Sequence, residues 1–116
     1  MEKLVIHGGK PLEGTVRVSG AKNAVLPIIV ASMLGTTQSV LTEIPKLDDV
    51  HTVCEVITSL GVHIDQSQAG TLVIDASHLT STSAPYDLVR RMRASFLVMG
   101  PLLARKGHAK ISLPGG

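Results

Sequence analysis

The sequence predicts an α/β or α+β domain, and three observations support this fold class. Strand-like and helix-like patterns alternate between residues 16 and 75, in the order strand, helix, strand, helix, strand, strand. Hydrophobic residues make up 44% of the chain, which is enough to build a core. Because the chain has one Phe, one Tyr and no Trp, that core is expected to be aliphatic. A length of 116 residues corresponds to one domain or to part of a larger one.

The first predicted elements are two strands and a helix. Strands are expected at 4–6 and at 15–18, separated by the turn-forming sequence GGKPLEG. The helix is expected to begin near Asn23, because Pro27 is tolerated only in or close to the first turn of a helix. Asparagine is also a favourable N-cap residue. Gly35 is expected to end this helix.

The clearest amphipathic helix lies between residues 47 and 61. Asp48 and Asp49 stand at its N-terminal, positive end, and Gly61 is expected to end it. A short strand at 39–42 precedes it. The apolar residues of the helix fall at i, i+3, i+4, i+7 and i+10, which places them in one stripe: Val50, Val53, Cys54, Ile57 and Leu60.

Two more strands and a long helix complete the predicted elements. Strands are expected at 62–65 and 71–75, paired as a hairpin around the turn sequence QSQAG. After a polar linker, one helix is expected from Pro85 to about Lys106, with a kink at Gly100–Pro101. A further strand is expected at 109–113.

Charge is distributed unevenly along the chain. Residues 1–84 carry five Lys/Arg and eight Asp/Glu, a balance of −3, whereas residues 85–116 carry six Lys/Arg and one Asp, a balance of +5. A basic C-terminal third suggests an anionic partner, although a solvated charged face is the commoner cause. No apolar run is long enough to span a bilayer and no signal-peptide layout is present. With a single cysteine, the chain is expected to be cytoplasmic.

Lys22 and Asn23 are the first candidate site residues. A helix N-terminus offers free backbone N–H groups and a partial positive charge, to which a lysine adds a full charge. Gly20 is expected to let a ligand approach the backbone closely. The combination indicates an anion site for phosphate or carboxylate. The alternative is an N-cap asparagine beside a solvated lysine, which is a common arrangement.

Arg93 is the third candidate. If residues 85–106 form one helix, a buried stripe runs along it, and Arg90 and Arg91 lie on opposite sides well away from its centre. Arg93 lies at the edge of the stripe, where a charged side chain needs a partner. It is therefore expected to point into a cleft, with a structural salt bridge as the alternative. The predicted stripe comprises Val89, Met92, Phe96, Met99 and Leu103.

Cys54 is interpreted as a core residue, because burial raises the pKa of a thiol and makes it inert. His51 and Cys54 are three residues apart on one helix, but no second pair of ligands completes a metal site. We therefore predict no metal. No P-loop or dinucleotide fingerprint is present, and the scarcity of aromatic residues argues against single-stranded nucleic-acid binding.

Four segments taken together resemble a known enzyme family: SGAKNAVLP, IPKLDDV, APYDLVRRMRASFLVMGPLLAR and ISLPGG. They are similar to the UDP-N-acetylglucosamine enolpyruvyl transferases, the 1-carboxyvinyltransferases of the MurA type. The likeness covers the whole chain, in order and without obvious gaps. The resemblance implies transfer of the enolpyruvyl group of phosphoenolpyruvate to the 3′-hydroxyl of UDP-N-acetylglucosamine, by addition and elimination, without a metal or cofactor. This is the first committed step of peptidoglycan synthesis, on which cell shape and division depend.

The resemblance also implies the domain organisation and the roles of the site residues. It implies βαβαββ repeats, with one complete repeat to about residue 84 and the start of a second from 85, so that 22–116 is a partial domain. The strands within 1–21 are expected to pack with a second domain that this chain lacks. Lys22 is expected to contact the phosphate of phosphoenolpyruvate and to act in catalysis. Asn23 is expected to bind the substrates near the reacting hydroxyl, and Arg93 to hold the UDP-sugar.

In the family, LPGG is followed by a reactive cysteine, the general acid and the target of fosfomycin, or by an aspartate. The sequence ends at Gly116, one residue before that position, so the chain alone is not expected to turn over. Three other interpretations stay open. One is the sister enzyme, 3-phosphoshikimate 1-carboxyvinyltransferase. The others are a small basic nucleic-acid-binding βαβα module and a structural fragment with exposed sheet edges.

Overall fold

The computed structural model describes residues 1–113, and the predicted loop at 114–116 lies outside them. The mixed helix and strand class is confirmed, and no described helix is long and apolar enough to cross a membrane. Two segments are 3₁₀-helical, Ser32–Leu34 and Arg93–Val98. The other elements are α1 (Lys22–Ala31), β1 (Gln38–Leu41), α2 (Asp48–Ser59), β2 (His63–Asp65), β3 (Leu72–Asp75), α3 (Tyr86–Val89) and α4 (Met99–Lys106).

The strands form one antiparallel sheet in the order β1-β3-β2. The predicted hairpin of β2 and β3 is confirmed, with His63 opposite Asp75 and Asp65 opposite Val73. β1 pairs with the other edge of β3. Because residues directly opposite each other share a face, Ile64 and Ile74 point to the same side. Both β1 and β2 are edge strands of this sheet.

The inner face of the sheet is covered by α1 and α2, which pack against each other. Ile74 from β3 and Ile57 from α2 are completely buried between the layers. Among residues 1–113 the buried hydrophobic side chains include no aromatic one, as predicted. The other large, fully buried aliphatic and methionine side chains come from α1 and the 3₁₀ segment after it, from α2 and the chain after it, and from the C-terminal elements: Ile29, Met33, Val53, Val56, Leu60, Val62, Val89, Val98 and Leu102.

α2 ends as the sequence predicts, at Gly61. The Gly61 N–H donates to the Thr58 carbonyl at 3.0 Å, and the Val62 N–H donates to the Ile57 carbonyl at 3.2 Å. These two bonds form a Schellman motif, which requires a left-handed residue at the glycine position. Gly61 has φ +104°. Val62 and Ile57 are both buried, so the motif also carries its usual hydrophobic contact.

Residues 1–21 contain no strand in the structure, although the sequence predicts two. Their apolar side chains lie in solvent; Leu4 is 86% exposed and Val16 is 89% exposed. A strand needs a partner for its backbone N–H and C=O groups, and neither segment has a partner strand among residues 1–113. Their pairing with a second domain stays a prediction.

The prediction of one long helix from Pro85 to Lys106 is wrong. The chain is helical over α3 and then turns extended at Met92, with φ −155° and ψ 125°. It continues as the 3₁₀ segment Arg93–Val98 and only then as α4. Gly100 and Pro101 cause no kink, because they lie in the first turn of α4, where a missing N–H costs no hydrogen bond.

This break changes which side chains are buried. In a 3₁₀-helix residues three apart share a face, and Met92, Ser95 and Val98 are indeed buried. Phe96 and Leu103, which the α-helical stripe would bury, are 36% and 48% exposed. The strand predicted at 109–113 is also absent, and this segment forms one parallel bridge between Ser83 and Lys110.

Candidate functional site

The start of α1 leaves backbone donors without acceptors. The N-cap residue is Ala21, which has no side-chain group that could cap the helix. The N–H groups of Ala24 and Val25 both donate to the Ala21 carbonyl, at 3.2 and 2.9 Å. The N–H groups of Lys22 and Asn23 find no acceptor among residues 1–113. Two uncapped N–H groups at the positive end of a helix dipole favour an anion.

Asn23 does not cap the helix, contrary to the sequence-based prediction. It is the second residue of α1, its side chain is exposed, and its amide makes no hydrogen bond within the described part of the chain. Pro27 lies four residues further on inside α1 and has no N–H, so the Asn23 carbonyl also lacks its usual helical donor. Beside Lys22, the residue thus offers an amide with no partner among residues 1–113 and a carbonyl without its usual helical donor.

Lys22 forms an ion pair with Asp49, the second residue of α2, with 2.8 Å between Nζ and Oδ2. The lysine side chain is 56% exposed and the aspartate 30%. The pair joins the N-termini of the two helices that cover the sheet. It was missed by sequence reasoning, because no local pattern links two residues 27 positions apart.

Gly20 lies against the loop that precedes α2. A Cβ atom at this position would lie 2.9 Å from the Glu43 carbonyl oxygen and 3.0 Å from Cδ of Pro45. The glycine therefore allows close contact between the chain entering α1 and the loop from β1 to α2, and close approach of a ligand to this backbone stays a prediction. Arg17 adds an ion pair to Glu43 in the same region.

Arg93 is exposed at the first position of the 3₁₀ segment, rather than at the edge of a buried stripe. The helical phase that predicted a cleft does not exist, because the helix is interrupted at Met92. The alternative of a structural salt bridge is not observed either, since the guanidinium has no acidic partner among residues 1–113. The 3₁₀ segment packs against α1, but no hydrogen bond joins Arg93 to Lys22 or Asn23.

Other basic side chains of the C-terminal third form ion pairs or hydrogen bonds within the protein. Arg90 and Arg91 are exposed, as predicted, but each has a carboxylate partner: Arg90 pairs with Asp87 at 3.5 Å and Arg91 with Glu55 at 2.9 Å. The half-buried Arg105 donates from Nη1 to the Met33 carbonyl at 3.1 Å and to the Ala76 carbonyl. Half of the six basic residues of this third thus have structural contacts.

Cys54 is a core residue, as predicted. It is 2% exposed, and burial raises the pKa of its thiol from an ordinary value near 9.0 to about 11. Within residues 1–113 no group of three His, Cys, Asp or Glu side chains could hold a metal. His51 instead faces Glu55, with 3.1 Å between Nε2 and Oε1. A thiol that stays protonated at neutral pH is a poor nucleophile and a poor metal ligand.

Replacing Cys54 with alanine is expected to cost about 1–2 kcal/mol of unfolding free energy, through the small cavity it leaves.

Between pH 9 and 11 the unfolded thiol ionises while the folded one keeps its proton, so the native protein loses stability as pH rises. At pH 10 that loss amounts to about 1 kcal/mol and is absent from Cys54→Ala. Urea unfolding of both proteins at pH 8 and pH 10 measures it. If the unfolding free energy of both proteins changed equally with pH, the loss would not come from the raised pKa of Cys54.

A groove of about 320 Å³ runs beside α1, but none of the three predicted site residues lines it. Lys22, Asn23 and Arg93 lie on open surface. The groove is mainly apolar and separates α1 from β1 and the loop that follows it. Its lining residues include Ala21, Ala24, Val25, Ile28, Val40 and Ile44.

Comparison with known proteins identifies relatives over the whole chain. The family model for EPSP synthase (3-phosphoshikimate 1-carboxyvinyltransferase) matches residues 6–116. A UDP-N-acetylglucosamine 1-carboxyvinyltransferase 1 from Halalkalibacterium halodurans is 52% identical over 100% of this chain and 26% of its own length. The corresponding proteins of Shewanella denitrificans and Carboxydothermus hydrogenoformans are 51% and 53% identical. The chain spans about a quarter of the length of these curated relatives.

A solved structure shares the fold. The enolpyruvyl transferase NikO from Streptomyces tendae superimposes with a TM-score of 0.70 and 29% sequence identity. The match covers 88% of this chain and 24% of the NikO chain. The two proteins therefore share the fold over most of this chain.

Proposed function

Because the chain belongs to the EPSP synthase family of enolpyruvyl transferases, we propose that it is part of an enzyme that makes enolpyruvyl-UDP-N-acetylglucosamine. The donor is phosphoenolpyruvate and the acceptor is the 3′-hydroxyl of UDP-N-acetylglucosamine. The observation that carries the proposal is about 52% identity over the full chain to relatives named for that reaction. Since the chain spans 26–28% of those relatives, the activity is assigned to a protein of their length.

In this enzyme the start of α1 binds the phosphate of phosphoenolpyruvate. The Lys22 side chain is half exposed, and the N–H groups of Lys22 and Asn23 are uncapped, so one full charge and two backbone donors belong to the first turn of α1. The acceptor oxygen adds to C2 of phosphoenolpyruvate as the C2–C3 double bond takes up a proton at C3 and the hydroxyl loses its own. The bond from C2 to the phosphate oxygen then breaks, and loss of a proton from C3 restores the double bond. Positive charge fixed at that oxygen stabilises the departing phosphate without reorganisation during the reaction. The Asn23 amide orients the substrates near the acceptor hydroxyl.

Arg93 binds the diphosphate of the UDP-sugar. Its guanidinium is exposed and has no acidic partner within residues 1–113, unlike the two neighbouring arginines. A planar guanidinium donates two parallel hydrogen bonds to phosphate oxygens. It is therefore the arginine of this segment that is free to bind an anion.

Residues 1–21 pair with the remainder of the enzyme. Their exposed apolar side chains favour burial against another part of the protein rather than solvent: Leu4, Val5, Ile6, Leu12, Val16 and Val18 are between 64% and 95% exposed. The general acid is expected at the position after Gly116, as cysteine or aspartate, and a cysteine there would make the enzyme a target of fosfomycin. An enzyme acting on these phosphorylated substrates is expected in the cytoplasm.

The function is tested by phosphate release in an enzyme of the relatives' length that carries this chain. Release with phosphoenolpyruvate is expected to require UDP-N-acetylglucosamine. Release with 3-phosphoshikimate instead would favour the sister enzyme and contradict the proposal. The nucleic-acid alternative is disfavoured, because Arg90, Arg91 and Arg105 already have contacts within the fold.

In the same enzyme, Arg93→Ala is expected to weaken UDP-N-acetylglucosamine binding by about 10- to 100-fold, the cost of a hydrogen bond to a charged group. Isothermal titration measures the affinity. Arg90→Ala is the matched control, because it removes an exposed arginine that is paired with Asp87. It is expected to stay within about twofold of the original enzyme, since exposed ion pairs contribute little. Unchanged affinity in Arg93→Ala would exclude this role.

A further inference from the structure

The ion pair between Lys22 and Asp49 has no part in the roles proposed so far. Its 2.8 Å separation is that of a direct charge-assisted hydrogen bond. Both residues lie in first turns, Lys22 in α1 and Asp49 in α2, so each stands at the positive end of its helix. Among residues 1–113, Lys22 has no second acidic partner.

The surrounding backbone brings these two helix starts together. Contact of Gly20 with the Glu43 carbonyl and Pro45 holds the chain that enters α1 against the loop that enters α2. α1 and α2 also pack along their buried faces. The packed backbone therefore fixes the distance between the two first turns. The ion pair between Lys22 and Asp49 is not needed to hold the helices together.

The chemistry of an ammonium group allows the pair to persist when an anion binds. Lysine has three N–H donors, and Asp49 uses one of them. Two donors remain for phosphate oxygens. A free lysine side chain samples many rotamers and loses that freedom on binding. In the pair with Asp49, part of this freedom is lost before the ligand arrives, which lowers the cost of binding.

We propose that Asp49 is a positioning residue, which holds the Lys22 ammonium at the start of α1 so that the phosphate of phosphoenolpyruvate meets a charge already in place. This inference rests on the proposed function. An ion pair as exposed as this one contributes little to the stability of the fold, so its main effect falls on the orientation of Lys22.

Asp48 provides a matched control. It precedes Asp49 in the first turn of α2 and has the same favourable interaction with the helix dipole. It is exposed and its carboxylate forms no ion pair within residues 1–113. Asp48→Asn and Asp49→Asn therefore remove the same charge from the same helix end, and differ in whether Lys22 loses its partner.

The test is carried out with the enzyme of the relatives' length, by calorimetric titration with phosphoenolpyruvate and by initial rates. Asp49→Asn is expected to raise both Kd and KM for phosphoenolpyruvate by about tenfold, with a smaller change in kcat. Asp48→Asn is expected to change neither by more than about twofold. Asp49→Glu keeps a carboxylate within reach of Lys22 and is expected to restore most of the lost affinity.

Two outcomes overturn the inference. Tighter binding in Asp49→Asn would show that the carboxylate competes with phosphate for Lys22 rather than placing it. Equal affinity in the two asparagine variants would show that Asp49 has no effect on Lys22. Failure of the proposed function has a different signature: the unsubstituted enzyme would bind phosphoenolpyruvate, and Asp49→Asn would still weaken that binding, but UDP-N-acetylglucosamine would accept no enolpyruvyl group.

Discussion

Replacing Lys22 with alanine is expected to lower kcat/KM by about 10²- to 10³-fold in an enzyme that carries this chain, the usual cost of removing one preorganised donor from a reacting charge. The substitution removes the positive charge of Lys22 from the start of α1 and leaves the two uncapped N–H groups in place. Those N–H groups are expected to retain part of the phosphate affinity. Steady-state rates with both substrates measure the effect.

The fold is expected to survive this change. The Lys22 side chain is 56% exposed and its pair with Asp49 is partly solvated, so its loss costs at most about 1 kcal/mol. Lys106→Ala, in the exposed last turn of α4, is the matched control and is expected to keep the original rate. Near-normal turnover in Lys22→Ala would remove the proposed role. A loss of activity accompanied by an equal loss of folded protein would assign Lys22 to stability instead.

Replacing Gly61 with alanine is expected to destabilise the fold more than any other single change discussed here. The residue has φ +104°, which strains a residue with a Cβ atom. A Cβ would also lie 2.5 Å from Oγ1 of Thr80 and 2.6 Å from the His78 carbonyl oxygen. The hydroxyl can rotate away, but the carbonyl belongs to the backbone, so the segment that follows β3 must move.

That movement would break further contacts. Thr80 and Ser81 both donate their N–H groups to the Leu60 carbonyl, at 2.9 and 3.1 Å, immediately before Gly61. We expect a loss of about 3 kcal/mol or more of unfolding free energy, in the range of strained or clashing core substitutions. For a chain of this size, that corresponds to a decrease in Tm of roughly 12 °C.

Gly70→Ala separates the two causes. Gly70 also has positive φ, at +71°, but a Cβ there would meet nothing within 4 Å. Its substitution is expected to cost about 1–2 kcal/mol, the conformational term alone. Thermal unfolding of both variants, followed by circular dichroism, measures the difference. Equal destabilisation would show that contact with the 78–80 segment is unimportant.

Much of the fold could be predicted because its signals lie within a few residues of one another. The stripe of α2, its end at Gly61 and the β2–β3 hairpin are each encoded in a short stretch. The aliphatic core follows from composition. The family resemblance rests on four segments in the correct order, and relatives about 52% identical over the whole chain confirm it.

The wrong predictions concern structure that depends on contacts between distant parts of the chain. A sequence from Pro85 to Lys106 is compatible with one helix or with two helices and a 3₁₀ segment, because both keep apolar residues on one side. Packing against α1 and α2 decides between them. The buried face consequently follows a spacing of three at Met92, Ser95 and Val98. Arg93 therefore does not lie at the edge of a buried α-helical stripe.

The sequence by itself determined the class of the fold, the aliphatic core, the end of α2 and the choice of Lys22, Asn23 and Arg93 as candidates. Only the tertiary structure decided that Ala21 rather than Asn23 is the N-cap of α1, that Gly20 contacts a loop, and that Lys22 pairs with Asp49. Periodicity and turn chemistry act over a single element, whereas these contacts join elements separated by more than twenty residues. Their geometry exists only after the two helices have packed on the sheet.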